Sequence, residues 1–339
     1  MPEITLKSIA EHFGVSAATV SRILSHPEYT GREPEKAAEI RLYARKLDYR
    51  PNADALALKK GISVRTESSK EIRCYLANAQ VHSFLNILRA VEQQAMACNC
   101  IIGHKYFRRD TERLLLDDTC LNSVQTGLVI IGYPGMDTLL DDLYEHYKGN
   151  VVFTGLRRVD SPLDQVVCDG YQATWVALEY LYSLNHRRIA YLGRFEEEMR
   201  LQTYLEFLKQ KDIPVNTDYI FECPMTEDGG LEAAGRIAGM KADMPTSVFC
   251  ANDIIASGLL RGLTDLNIVV PRDLSLISID DMMCAQNMRP MLTTVHIPFE
   301  SMGNFSVKLL VGRLNGEHER MTRVWLPHQL VKRESCKKI

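Results

Sequence analysis

The chain has 339 residues, which fits a small domain joined to a larger two-lobed one. Hydrophobic residues make up 46% and charged residues 24%, and no run of about 18 uncharged apolar residues occurs, so we expect a globular chain without a membrane segment. A net charge of −3 excludes a protein that coats nucleic acid through overall charge. The charge is unevenly distributed, since residues 1–60 hold ten Lys/Arg against eight Asp/Glu and the remainder holds thirty against thirty-five.

Two short helices are predicted within the first 24 residues. Thr5 is expected to cap a helix that begins at Leu6, and Gly14 to end it. Ser16 is expected to cap the second helix. Helical spacing gives the first helix an apolar face and the second a buried stripe; these positions are Leu6, Ile9, Ala10 and Phe13, and Ala17, Val20, Ile23 and Leu24.

A third helix is predicted from Pro34 to Asp48, followed by a stop at Tyr49-Arg50-Pro51. Residues 52–60 are rich in alanine and leucine and indicate a brief, conditional helix, and residues 61–70 indicate a polar linker. The expected buried positions of the third helix are Ala37, Ile40, Leu42, Ala44 and Leu47.

From Glu71 onward, apolar runs alternate with helical patterns, which is typical of parallel sheets covered by helices. There are too many such units for one compact sheet, so two lobes are expected. The predicted strands are Ile72–Leu76, Gly127–Ile131, Val151–Thr154, Arg188–Leu192, Ser247–Ala251 and Leu274–Ile279. The predicted helices are Phe84–Cys98, Tyr171–Leu184, Met199–Gln210, Gly229–Met240 and Ile254–Asp265.

The first helix pair has the spacing of a helix-turn-helix, whose second helix enters the major groove of DNA with its N-terminal residues foremost. Ala17 and Ala18 begin that helix, and their methyl groups suit a thymine methyl. The hydroxyls of Ser16, Thr19 and Ser21 suit phosphate oxygens, and Arg22 suits a guanine edge or the backbone. The alternative, a generic helical hairpin, is disfavoured by the small polar residues on the outward face.

The sequence from Leu6 to Leu24 resembles the headpiece pattern L-x-x-I-A-x-x-x-G-V-S-x-x-T-V-S-R-x-L of the bacterial lactose-repressor/galactose-repressor family. The resemblance continues through Tyr49-Arg50-Pro51-Asn52 and covers nearly the whole chain. It implies an all-α headpiece joined to a two-lobed, periplasmic-binding-protein-like α/β domain. It also implies DNA contacts from Thr5, Leu6, Ser16, Ala17, Ala18, Thr19, Ser21, Arg22, Asn52, Ala55 and Leu58.

The family forms a hinge helix after this asparagine on operator DNA and inserts a leucine into the minor groove. Counting from Asn52 gives Leu58 as the inserted residue and Ala55 as the helix-packing residue. Leu56 is the alternative for insertion, and Asp54 places an unusual negative charge in this segment.

Ligands of two-lobed α/β domains bind where the strands end, so the polar residues after each strand are candidates. Asn252 and Asp280 follow two predicted strands, and Arg200 begins a helix after a third. A helix cap is the alternative for each polar residue alone. The resemblance implies that Asn252 and Asp280 grip hydroxyls and that Arg200 binds the effector, while Phe84 either stacks on ligand or belongs to the core.

Two departures affect the expected pocket. Gly155 stands where some sugar-binding members have an acidic contact, and Thr203 replaces the usual glycine after the arginine.

These patterns divide the chain into a DNA-binding headpiece (1–51), a hinge and linker (52–70) and an effector-binding and dimerisation domain (71–336). The first lobe is expected to comprise about 71–156 plus 288–319, and the second about 157–287 plus 320–336. Only three residues follow Cys336, so the family's tetramerisation segment is not expected. A homodimer is expected because two headpieces are needed to contact a two-fold operator.

The sequence therefore predicts a cytoplasmic transcriptional regulator, most often a repressor, that binds double-stranded operator DNA. Its effector is expected to be a sugar such as a galactoside, with a purine corepressor as the alternative. A solute-binding receptor is a second alternative, which the headpiece disfavours.

An enzyme is not expected, since the chain lacks G-x-G-x-x-G after a strand, a phosphate loop and a nucleophile elbow. The segment at His186, Arg187 and Arg188 could suggest catalysis, but it resembles the family's ordinary turn before a strand. The nine cysteines show no metal-binding or paired spacing, so reduced thiols and no metal or cofactor are expected.

Overall fold

The computed structural model describes residues 6–25, 34–46, 70–78, 82–116, 125–133, 135, 137–195 and 199–339, without the side chains of Leu6, Lys7, Ser25, Arg45 and Lys46. Contacts between residues divide the chain into two units, Met1–Ser69 and Lys70–Ile339.

The N-terminal unit contains three helices, α1 (Leu6–Phe13), α2 (Ala17–Ser25) and α3 (Pro34–Lys46). Their small core is made of apolar residues at helical spacing, so the predicted helix pair is confirmed. Two expected core positions are wrong: Leu42 is 56% exposed, because it lies off the face that α3 buries, and Ala17 is exposed in the first turn of α2. The buried residues are Ile9, Ala10, Val20, Ile23, Ala37, Ile40 and Ala44.

The larger unit contains two six-stranded sheets with helices between the strands, which confirms the predicted α/β class with parallel sheets. The strands are β1 (Glu71–Leu76), β2 (Ile101–Phe107), β3 (Thr126–Ile131), β4 (Val151–Gly155), β5 (Asp164–Cys168), β6 (Ile189–Gly193), β7 (Ile220–Glu222), β8 (Ser247–Cys250), β9 (Ser275–Asp280), β10 (Thr293–His296), β11 (Arg323–Leu326) and β12 (Gln329–Val331). The helices are α4 (His82–Ala97), α5 (Thr111–Leu115), α6 (Asp137–His146), α7 (Gly170–Ser183), α8 (Met199–Gln210), α9 (Glu227–Gly239), α10 (Asp253–Asp265), α11 (Met283–Asn287) and α12 (Phe299–Leu314).

The two sheets have the same strand order. The first runs β2-β1-β3-β4-β5-β11 and the second runs β7-β6-β8-β9-β10-β12. The sixth strand distinguishes them, since β11 pairs parallel to β5 whereas β12 pairs antiparallel to β10. In a parallel sheet of this order, the carboxyl ends of the strands form the crevice at which ligands bind.

The chain passes between the two lobes three times, after β5, after β10 and after β11. The expected lobe boundaries are therefore wrong at three strands. Both β5 and β11 pair in the first sheet and not in the expected second lobe, and β10 pairs in the second sheet and not in the expected first lobe. Pairing between strands that are distant in the sequence determines this arrangement, and local patterns do not encode it.

Among the described residues, no helix is both long and apolar enough to cross a membrane.

Candidate functional site

The turn between α1 and α2 is fixed by backbone and side-chain hydrogen bonds. Gly14 has φ of +60°, a left-handed conformation that favours glycine, and the Val15 amide donates to the Ala10 carbonyl at 3.0 Å. Ser16 then caps α2, because its Oγ accepts from the Thr19 amide at 3.1 Å. These contacts set where α2 begins and which of its faces points outward.

The first turn of α2 presents small side chains outward. Ser16, Ala17, Ala18 and Arg22 are exposed, and Thr19 and Ser21 are partly exposed. The opposite face of α2 is anchored by Val20, which is fully buried. A helix start with exposed methyl, hydroxyl and guanidinium groups has the chemistry needed to contact base edges and phosphates.

Several sequence-predicted DNA contacts lie outside the described residues. These are Thr5, the side chain of Leu6, and the hinge residues Asn52, Ala55 and Leu58 with the alternative Leu56.

The two lobes of the larger unit enclose a cavity of about 610 Å³ at the carboxyl ends of their strands. The four residues predicted as effector contacts, Phe84, Arg200, Asn252 and Asp280, all line it. This cavity is therefore the candidate ligand site. The other described lining residues are Ala77, Asn78, Ser83, Arg108, Gly132, Tyr133, Leu156, Arg157, Arg194, Met199 and Met225.

Asn252 lies in the cavity wall and also caps α10. Its Oδ1 accepts from the Ile255 amide at 2.8 Å, so the helix-cap interpretation considered from the sequence also holds. Because the cap uses the oxygen, the Nδ2 group is the part of this side chain that can donate to a ligand.

Asp280 ends β9 in an unusual backbone conformation. Its φ is +124° and that of Asp281 is +58°, values that cost about 1–3 kcal/mol for residues other than glycine. Asp281 stabilises this turn, because its Oδ1 accepts from Arg333 Nη2 and its Oδ2 lies 3.2 Å from His296 Nδ1. Asp280 lies in this turn at the cavity wall, where the residue is 4% exposed.

Phe84 lies in the first turns of α4 and packs on the backbone of Gly132. Gly132 has φ of +81°, and a Cβ there would lie 2.4 Å from the Phe84 ring. Phe84 also packs against two hydrophobic clusters, one within the first lobe and one that includes residues of both lobes. It therefore packs with the core and also lines the cavity, and stacking on a ligand stays a prediction.

The two departures from the family pattern have local explanations. Thr203 is buried in α8, and its Oγ1 donates to the Met199 carbonyl at 2.8 Å. A Cβ at Gly155 would lie 2.8 Å from the Phe153 ring, so the aromatic ring occupies the space beside this glycine.

Three cavity-lining arginines were missed by the sequence analysis. Arg108 follows β2, Arg157 follows β4 by two residues, and Arg194 directly follows β6. Their common position just beyond a strand end is a signal that could have found them, but β2 was not predicted. Arg157 has a defined position, since its guanidinium lies 4.2 Å from the centre of the Tyr133 ring.

Four thiols among the described residues of the larger unit lack the environment of a nucleophile. Burial raises the pKa of Cys74, Cys168, Cys223 and Cys336 to about 12, so these thiols stay protonated. No group of three or more His, Cys, Asp or Glu side chains with metal-binding geometry occurs within the described ranges.

His186 joins the turn before β6 to the C-terminal segment. Its Nδ1 lies 2.9 Å from Thr246 Oγ1 and its Nε2 lies 3.0 Å from the Lys337 carbonyl oxygen. Burial lowers the pKa of His186, which favours the neutral ring and a structural role.

Comparisons with known proteins agree with this architecture. A family model described as a periplasmic binding protein-like domain matches residues 178–336. The HTH-type transcriptional repressor PurR of Klebsiella pneumoniae is 26% identical over 338 residues, which cover 98% of this chain and 96% of that protein.

Solved structures show the same fold. The lac repressor dimer bound to operator and the anti-inducer ONPF gives a TM-score of 0.71 at 23% identity, covering 98% of this chain and 99% of that one. A LacI family regulator from Lactobacillus casei with bound sucrose also gives 0.71 at 23% identity, covering 79% of this chain and 100% of that one.

Proposed function

We propose that this chain, a member of the lactose-repressor/galactose-repressor family, is a transcriptional repressor whose affinity for operator DNA is controlled by a small-molecule effector. The observation that carries the proposal is the exposed first turn of α2, placed after a turn that Gly14 and Ser16 fix. The similarity to a curated repressor along nearly the full length supports it. Similarity to regulators also favours a binding protein over an enzyme.

In this proposal, residues 1–51 form the headpiece that contacts the major groove. Ala17 and Ala18 make apolar contacts with base edges, Arg22 donates to a guanine or a phosphate, and Ser16, Thr19 and Ser21 contact phosphates. Thr5 and Leu6 add backbone contacts. Asn52, Ala55 and Leu58, in the hinge segment 52–70, contact the minor groove, and the chain acts as a homodimer on a two-fold site.

The effector binds in the cavity between the lobes of residues 71–336. Phe84 offers a ring face, Arg200 and Asn252 donate hydrogen bonds, and Asp280 accepts them from ligand hydroxyls. This combination favours a sugar such as a galactoside. A purine is the second candidate, because the chain is similar to PurR repressors and Phe84 can stack on a base.

The effector and the operator influence one another by linkage. A ligand that binds the DNA-released arrangement more tightly must itself bind less tightly when operator is present. Effector affinity that stays the same with and without operator would contradict this mechanism.

The first experiment selects bound sequences from a DNA library with the purified full chain, with and without a panel of sugars and purines. We expect a two-fold site to be enriched and one ligand to release it. Enrichment that needs a ligand would identify a corepressor, and no enriched site under any condition would refute the repressor.

Arg22→Met then tests the orientation of α2. We expect affinity to fall about tenfold or more and the base preference to relax at one position of each half-site. Lys36→Met makes the same charge change on α3, and it should weaken binding to all sequences alike. Equal effects of the two variants on base preference would contradict the proposed α2 contact.

Asn252→Ser tests the cavity without removing the helix cap, because serine also caps helices. We expect effector affinity to fall about tenfold while the melting temperature changes little. Asn216→Ser is the matched control, since Asn216 caps the turn Thr217–Tyr219 outside the cavity. Unchanged affinity in Asn252→Ser would place the ligand elsewhere.

A further inference from the structure

The described wall of the cavity carries more positive charge than a site for a neutral sugar requires. Four of its residues are arginines, Arg108, Arg157, Arg194 and Arg200, whereas Asp280 is the single acidic residue among the described lining residues. This count leaves out Glu196–Glu198, which lie outside the described residues and are kept unchanged in every variant below.

The chemistry of guanidinium groups determines which ligand atoms they can bind. Each carries a positive charge and has N–H donors but no acceptor, so a wall with four of them favours a ligand that is negatively charged and rich in acceptor oxygens. The hydroxyls of a neutral sugar also donate, and a phosphate or carboxylate supplies the anionic acceptors that arginine binds in bidentate fashion. The wall is therefore complementary to an anion that also carries hydroxyls.

The arginines are divided equally between the lobes. Arg108 and Arg157 follow strands of the first sheet, and Arg194 and Arg200 follow β6 of the second. Like charges on the two sides of a cleft repel each other, and an anion between them replaces this repulsion with attraction. An anionic ligand would thus be held by both lobes and would favour a closed cleft.

Arg157 is held in one position, from which it can bind an anion. The Arg157 guanidinium lies over the Tyr133 ring, and Tyr133 Oη donates to Asp137 Oδ1 at 2.9 Å. A stacked guanidinium loses less conformational freedom when it binds an anion, which favours affinity.

We propose that the effector of this cavity is an anionic, hydroxyl-bearing small molecule, and specifically a phosphorylated sugar. The proposal rests on the proposed function only in that it calls the ligand an effector. Anion binding itself can be measured on the free protein without DNA.

The first test uses inorganic phosphate as the probe. At about ten times its Kd, phosphate should raise the melting temperature of the full chain by about 2–4 °C relative to chloride at equal ionic strength. The double variant Arg108→Met/Arg157→Met should lose this increase. Its matched control is Arg109→Met/Arg158→Met, which removes the two neighbouring exposed arginines that are not among the described lining residues.

Absence of a phosphate-specific increase in the unmodified chain would overturn the proposal. Equal losses in the two double variants would also overturn it, because they would indicate a general charge effect.

Calorimetry with matched ligands then tests the class. Ribose 5-phosphate against ribose, and glucose 6-phosphate against glucose, should show at least about tenfold tighter binding of a phosphorylated member. Gluconate and adenosine monophosphate distinguish a sugar acid and a nucleotide, and tightest binding of either would overturn the phosphorylated sugar. Equal affinity for neutral and charged partners would overturn the anionic class.

The outcome is independent of the repressor proposal. Phosphate-specific binding together with no enriched operator would retain the anion site and refute the repressor. An enriched operator that only neutral sugars release would retain the repressor and refute the anion site.

Discussion

The two lobes share a strand order but bury an aspartate in different surroundings. In the first lobe, Asp164 begins β5 and is fully buried, and one of its partners is the positively charged Arg313. In the second lobe, Asp253 begins α10 and is equally buried, but its hydrogen-bond partners are neutral. The difference shows that this fold can hold a buried acid either in an ion pair or among neutral hydrogen-bond donors.

Asp164 connects three parts of the first lobe. Its carboxylate accepts two hydrogen bonds from Arg313 at 2.8 Å, lies 2.8 Å from His318 Nε2 and accepts from the Thr322 amide at 2.7 Å. Burial alone would raise the pKa of Asp164, but hydrogen bonds from Arg313, His318 and Thr322 outweigh it, and the pKa is lowered. The ionised form is therefore the one that stabilises the lobe.

Asp253 lies beside the cavity wall formed by Asn252. It accepts hydrogen bonds from the Ser278 hydroxyl, from Thr294 Oγ1 at 2.7 Å and from the Met282 amide at 2.6 Å. Burial raises the pKa of Asp253 to about 6, because these neutral donors only partly offset the loss of water.

The two acids therefore give the lobes opposite pH dependence. Asp164, with a lowered pKa, contributes stability above its unfolded pKa and loses it as the pH falls through the folded value. Asp253, with a raised pKa, contributes stability fully below its unfolded pKa and loses it as the pH rises through about 6.

The largest expected effect comes from neutralising Asp164. Asp164→Asn leaves Arg313 with an uncompensated charge at a side-chain exposure of 9%, so we expect the free energy of unfolding to fall by about 3–5 kcal/mol. Urea denaturation measures the change. Asp273→Asn removes an acid from an ion pair with the exposed Arg272 and should change stability little. A similar small change in both variants would contradict the importance of the buried pair.

The sequence predicted the strands that are apolar but not the strand that begins with buried polar residues. Strands β1, β3, β4, β6, β8 and β9 were predicted because each is a buried apolar run. Strand β5 was missed, since it begins with Asp164 and Gln165, two polar residues that are buried only because of tertiary partners. Arg313, the partner of Asp164, lies 149 residues away, a distance that no local pattern reports.

The candidate cavity was predicted in part for a related reason. Asn252 and Asp280 follow apolar strands whose ends are visible in the sequence, whereas Arg108 follows β2, whose residues are mostly exposed or half-buried. Without that strand, nothing in the sequence distinguishes Arg108 from its neighbour Arg109. The charge of the cavity therefore became evident only when the strand ends of both lobes were brought together.

A smaller effect is expected from titrating Asp253. Between pH 7 and pH 5, protonation of this group should raise the free energy of unfolding by about 1 kcal/mol. Urea denaturation at both pH values measures the increase, and Asp253→Asn should remove it. Asp265→Asn, at the exposed end of α10, should keep the pH response of the unmodified chain. A pH response unchanged by Asp253→Asn would refute this assignment.

The smallest effect is expected from the second partner of Asp164. His318→Gln keeps a side-chain hydrogen-bond donor near Asp164 and leaves Arg313 in place, so the free energy of unfolding should fall by only about 0.5–1.5 kcal/mol. His328→Gln, between β11 and β12, is the control and should have little effect. If the loss in His318→Gln reached that of Asp164→Asn, the stability that Asp164 provides would depend mainly on the histidine. The two buried acids would then differ mainly in that an imidazole stabilises Asp164 whereas hydroxyls contact Asp253, and Arg313 would be a secondary contact of Asp164.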